Sequence, residues 1–209
     1  MTRRMWLIVM LFAGAVGLLN PASGLAQAGA AEKPATASAQ AGLSPSHKYF
    51  TDVPLIDQDG KELRLYNDLI KDKVVIINSM FTSCNSVCPP MTMNLQRIQD
   101  WLGDRLGKEV VILSFSVDPA TDTPQTLKAF ANKYNARPGW HFLTGKKENL
   151  DFAIRKLGLY AAKREDHYTV MLIGNDRTNL WKKALGMARA DALIEIVESV
   201  LNDQPGKAQ

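Results

Sequence analysis

Cys84 and Cys88 are the only thiols in the chain, and they stand four residues apart in Phe81-Thr82-Ser83-Cys84-Asn85-Ser86-Val87-Cys88-Pro89. Three chemistries compete for them. A structural disulfide suits an exported protein, but a bridge closing so small a loop removes little unfolded-state entropy. A redox dithiol is geometrically easy. Four residues along a helix rise about 6 Å and return to nearly the same face, within the Cα separation of roughly 4.4–6.8 Å that a disulfide allows. Pro89 and Pro90 put Cys88 at a helix N-terminus, whose partial positive charge should lower its thiol pKa. The third chemistry is a soft-metal site: two thiolates supply half of a tetrahedral zinc site or most of a trigonal copper(I) site, and they require another ligand.

Three histidines could supply it. His47 borders a polar N-terminal stretch and is the weakest candidate. His141, in Trp140-His141-Phe142, alternates with bulky apolar neighbours and reads as a surface or satisfied core histidine. His167 follows Lys163-Arg164-Glu165-Asp166 at the mouth of an apolar strand; spacing alone leaves it balanced between ligand and exposed loop residue. Met80, Met91 and Met93 flank the motif and are soft enough for copper(I), although packing explains a flexible apolar side chain equally well. Asp118 and Asp122 read as turn formers and caps.

The elements that must hold these residues are legible from patterning. Val53–Asp57 and Leu63–Leu65 flank Gln58-Asp59-Gly60-Lys61, an Asp-Gly hairpin signal. Val74–Phe81 is a continuous apolar run, as expected of a strand buried on both faces. Met91–Leu106 has helical spacing through Leu95, Ile98 and Leu102. Val110–Val117 is a second buried strand. Asp122-Thr123-Pro124 then starts a helix through Leu127, Phe130 and Tyr134. A strand at Trp140–Leu143, a helix at Glu148–Leu157, a hairpin of Tyr168–Ile173 with Asn179–Leu185, and an amphipathic helix at Ala192–Leu201 complete the chain. A dicysteine motif directly after the first long buried strand points to a thioredoxin-like α/β fold: a central mixed β-sheet flanked by helices, with an N-terminal β-hairpin and an insertion between Asp118 and Leu143.

The N-terminus has a different character. Arg3 and Arg4 precede an almost unbroken apolar run, Met5–Leu19, and Ala26-Gln27-Ala28 offers a small-x-small cleavage site. Residues 1–28 are therefore predicted to be a secretory signal peptide, the alternative being a membrane anchor. Residues 29–46, rich in Ala, Gly, Ser and Pro, read as a flexible linker, and residues 47–205 as the folded domain. Arg3 and Arg4 are the only charged residues of the first 28, so their loss takes the net charge from +4 to +2. A domain so close to neutral has no electrostatic footprint for nucleic acid.

The cysteine motif resembles the Phe/Tyr-Thr-x-Cys-x-x-x-Cys-Pro signature of the Sco/SenC family of copper proteins. Ser116-Val117-Asp118-Pro119 with Asp122-Thr123-Pro124, Trp140 through Leu143-Thr144-Gly145, and Asp166-His167 are similar to further family segments in the same order. The resemblance spans roughly Phe50 to Asn202. It implies a thioredoxin-like fold and one copper ion per monomer, Cu(I) or Cu(II), held by Cys84, Cys88 and His167. It also implies a periplasmic copper chaperone serving the copper-containing subunit of cytochrome c oxidase or another copper-accepting protein, possible inner-membrane attachment through the N-terminal segment, and a monomeric state. The alternative is a thiol–disulfide oxidoreductase in which Cys84 and Cys88 are a redox-active pair. Three intervening residues, where general thioredoxin-type enzymes use two, argue against a housekeeping redox role. Three positions depart from the family pattern: Asn85-Ser86 replaces the common Pro-Asp, and Tyr168 follows His167 in place of a small hydroxyl residue.

Overall fold

A computed structural model describes residues 44–163 and 169–204. The apolar runs form the centre of a five-stranded sheet in the order β5-β4-β3-β6-β7. Strands β3 (Val74–Met80) and β4 (Val110–Ser116) pair in parallel, with Val74 opposite Val110 and Met80 opposite Ser116. Strand β5 (Trp140–Leu143) extends the parallel half beside β4. On the other side β6 (Val170–Asn175) and β7 (Leu180–Leu185) run antiparallel. Every residue of β3 and β4 is buried, which is why these segments lack polar alternation.

Each face of the sheet carries its own core, because successive side chains point to opposite sides. Val74, Ile76, Ile112 and Met171 pack with Leu95, Ile98, Leu127, Leu193 and Val197, and the two cysteines belong to this cluster. Helices α2 (Cys88–Leu102), α3 (Pro124–Lys133) and α5 (Ala190–Leu201) supply those partners. Val75, Ile77, Leu113 and Phe115 face Phe50, Leu65, Leu69, Leu150 and Ile154, from α1 (Pro45–Phe50), a π-helical segment at Leu65–Ile70, and α4 (Lys147–Lys156). The layered α/β arrangement expected of a thioredoxin-like chain is the one formed.

The N-terminal hairpin, β1 (Pro54–Ile56) with β2 (Glu62–Arg64), turns where Gly60 adopts φ +77°. Asp57 Oδ1 accepts the backbone N–H groups of Asp59 (2.9 Å) and Lys61 (3.0 Å) in that turn. The hairpin closes the free edge of β5. Ile56 and Thr144 exchange backbone hydrogen bonds of 2.8 Å. The Gln58 amide continues the ladder, donating to Trp140 O (3.0 Å) and accepting from Phe142 N (2.8 Å).

Several boundaries differ from the sequence expectation. The helix expected at Met91–Leu106 begins at Cys88, because Pro89 and Pro90 occupy its first turn, where missing N–H groups cost nothing. It ends at Gly103, whose φ of +56° favours glycine, and Leu106 is buried without being helical. Ser44 caps α1 by accepting from His47 N (3.1 Å), so a helix covers Pro45 and Ser46, which composition assigns to the linker. The first strand of the last hairpin, expected to end at Ile173, extends as β6 through Asn175, and the chain turns beyond it. Among the described residues no helix is long and apolar enough to cross a membrane. The predicted signal peptide lies outside the described residues.

Candidate metal and thiol site

The β3 strand ends at Met80, and a tight turn in which Cys84 N donates to Phe81 O (3.2 Å) leads into the thiol loop. Cys84 lies in that loop and Cys88 is the first residue of α2. No disulfide joins them; they are 7% and 1% exposed, and their side chains hydrogen-bond one another. Ser86 Oγ stands 3.7 Å from Cys84 Sγ.

The two thiols differ in acidity, and not in the sense that helix position predicts. Burial pushes Cys88 from the ordinary value near 9 up to about 12, with the charges of Cys84 and Asp122 adding to it and the Phe81 backbone partly opposing. That displacement corresponds to about 4 kcal/mol in favour of the neutral thiol. A helix N-terminus offers roughly 0.3–1 kcal/mol, at most about 2, so desolvation wins. Burial also pushes Cys84 up, but the backbone N–H groups of Ser86 and Cys88, with the Cys88 and Ser86 side chains, outweigh it and leave Cys84 below its ordinary value. Cys84 is the thiol poised to ionise.

The histidines separate. His47 is held on α1 by Asp52 (Nε2 to Oδ2, 2.9 Å) and stacks on Tyr66. His141 pairs in register with Leu113 on the face opposite the cysteine cluster, its Nδ1 3.6 Å from Asp57 Oδ2. Burial lowers its pKa against the opposing pull of Asp57. Neither joins the thiols. His167, the third ligand expected from the resemblance, lies outside the described residues, as does Tyr168. Among the described residues no group of three Cys, His, Asp or Glu side chains converges as a metal cage. Met80 and Met91 are buried in the cysteines' own cluster, whereas Met93 is half exposed. A paired dithiol in an apolar, thioether-rich wall suits a soft metal ion, which prefers thiolate and thioether donors.

Patterning missed four neighbours of the pair. Asp122, expected as a cap, is not one: Thr123 caps α3 by accepting from Thr126 N (3.2 Å). The Asp122 carboxylate is 1% exposed and instead accepts from Thr82 and Ser116, the latter at the end of β4. Tyr134, at the C-terminus of α3, is 7% exposed, and its phenol is pushed up by burial and then by the charges of Cys88 and Cys84. Thr82, Ser116 and Asp122 fall inside the quoted motifs, which was the only signal available for them.

With fold and thiol geometry in hand, comparison with known proteins gives the class. The SCO1/SenC family model matches residues 43–201, and the chain belongs to that family. It is 38% identical over 112 residues to the SCO1 protein homolog of Bacillus subtilis, an alignment covering 52% of this chain and 56% of that relative. The chain spans about half the length of the curated relatives it matches. Arabidopsis thaliana ScoI, solved with copper bound, superposes with a TM-score of 0.59 at 28% identity, over 70% of this chain and 94% of that one. BsSco, described as a member of the Sco family of cytochrome c oxidase assembly proteins with a disulfide switch, superposes with a TM-score of 0.59 at 31% identity, over 72% and 92%.

Proposed function

We propose that this chain is a periplasmic copper chaperone. It carries one copper ion on Cys84, Cys88 and His167 and delivers it to the copper-containing subunit of a respiratory cytochrome c oxidase. The observation that carries the reading is the unbridged, mutually hydrogen-bonded Cys84–Cys88 pair in one buried cluster with Met80 and Met91. Copper bound to ScoI, and the oxidase-assembly role ascribed to the family of BsSco, support it by likeness.

Copper is the cargo here, and the protein's part is proton and ligand management. Cys84, the stronger acid, supplies the first thiolate. Cys88 must give up a tightly held proton for the second, so loading releases protons to solvent. Thiolates favour copper(I), and His167 helps retain copper(II). Residues 1–28 direct export as a signal peptide or remain as an inner-membrane anchor, the stretch from residue 29 to the helix that starts at Pro45 acts as linker, and the domain works as a monomer.

A second reading has a specific observation behind it, since BsSco is described with a disulfide switch. In it the Cys84–Cys88 dithiol reduces a partner's disulfide. The partner gains two electrons and two protons, and the Cys84–Cys88 bond forms. Titrating the reduced protein with copper(I) against a competing chelator tests the first reading: one tight site is expected, abolished in Cys84→Ser and Cys88→Ser. Absence of tight uptake by the reduced wild type would leave the oxidoreductase standing.

A further inference from the structure

Asp122 is a carboxylate at 1% exposure that neither reading employs. Its two oxygens meet only donors. Thr82 Oγ1 (2.5 Å) and Thr82 N (3.2 Å) donate to Oδ1, Thr82 N also lies 3.4 Å from Oδ2, and Ser116 Oγ donates to Oδ2 at 2.5 Å. Ser116 Oγ in turn accepts from Asp118 N (3.0 Å). Asp122 is itself fixed, because its own N–H donates to Asp118 O (2.9 Å) and α3 begins two residues later. One side chain therefore joins the end of β4, the start of α3 and the loop two residues before Cys84. Among the described residues no ion pair involves Asp122. A buried carboxyl group must have its polar atoms paired, whereas apolar packing would join the same segments without that demand.

We propose that Asp122 is a positioning residue for the thiol pair: by anchoring Thr82 it holds Cys84 within reach of Cys88. The inference rests on reading that pair as the working site. Holding two reacting groups together raises their effective concentration, so the anchor favours the Cys84–Cys88 disulfide over the open dithiol. An amide replaces the carboxylate imperfectly, since its N–H₂ would require the Ser116 hydroxyl to turn its own proton away and accept instead.

The test is the dithiol/disulfide equilibrium constant of the full chain against a dithiothreitol redox buffer, with thermal unfolding recorded in parallel. Asp122→Asn should shift the equilibrium at least tenfold toward the dithiol, about 30 mV for a two-electron couple. Thr82→Val should shift it in the same direction, and Thr82→Ser, which keeps the hydroxyl, should restore the wild-type value. If Asp122→Asn fails to fold, the two Thr82 variants decide. Constants within twofold of wild type in folded Thr82→Val, or equal shifts in Thr82→Ser and Thr82→Val, overturn the proposal. The copper reading fails separately, through absent copper(I) uptake by wild type, and leaves this comparison intact.

Discussion

Cys84 and Cys88 hydrogen-bond each other where the thiol loop meets the start of α2, and the more deeply buried of the two, Cys88, is the weaker acid. The asymmetry gives the pair an order of reaction. At pH 7.5 limiting iodoacetamide should alkylate Cys84 first, because the thiolate is the nucleophile. Peptide mass spectrometry reads the order, and first labelling at Cys88 would reverse the assignment.

The same asymmetry sets a pH dependence of stability. The folded pKa of Cys88, about 12, lies above its unfolded value near 9. The folded chain therefore keeps a proton that the unfolded chain releases. Stability from this group is intact below pH 9 and falls between 9 and 12 by about 1.4 kcal/mol per pH unit. Urea denaturation of the reduced protein should show this loss relative to Cys88→Ser, and parallel profiles for the two would refute it.

His167→Ala should leave copper(I) uptake by the two thiols largely in place and weaken retention of copper(II). Imidazole suits copper(II), and thiolates select copper(I). The thiolate-to-copper absorption of the copper(II)-loaded protein is the readout, and an unchanged spectrum and off-rate would remove His167 from the ligand set.

Gly174 on β6 faces the Trp181 ring of β7: a Cβ there would lie 2.3 Å from Trp181 Cε3. The ring cannot swing freely, since it packs on Phe50 with centroids 5.4 Å apart. Gly174→Ala should destabilise the domain by about 1–3 kcal/mol through overpacking, measured by denaturant midpoint. Double substitution with Trp181→Leu should recover much of the loss.

Replacing Gln58 by Ala removes the two bonds to Trp140 O and Phe142 N. Leaving those partly buried backbone groups unpaired should cost about 1–3 kcal/mol. A change below 0.5 kcal/mol, a threshold set by ordinary surface substitutions, would make the amide dispensable.

How much of this was legible depended on the range of the interaction. The apolar runs of β3 and β4 announce their strands because burial on both faces is written residue by residue. The pair of cysteines at the strand's end is equally local. Asp122 was not legible: its partner Thr82 is 40 residues away, and a local pattern assigns an Asp before Thr-Pro to capping. The acidity of Cys88 was misjudged for a related reason, since the sequence shows a helix start but not the burial that overrides it. The short helix Pro45–Phe50 follows a low-complexity stretch and depends on Ser44 as its cap, so composition concealed it.

The Gln58 amide has a consequence for how copies of this domain meet. An uncovered sheet edge is a template on which another chain can add a strand. At β5 that template is blocked by a side chain standing in for a backbone, together with the exchange between Ile56 and Thr144. The opposite edge, β7, carries Lys182 and Lys183, charges that discourage pairing with a like strand. Each outer strand of the sheet therefore carries a feature that works against edge-to-edge pairing with another chain.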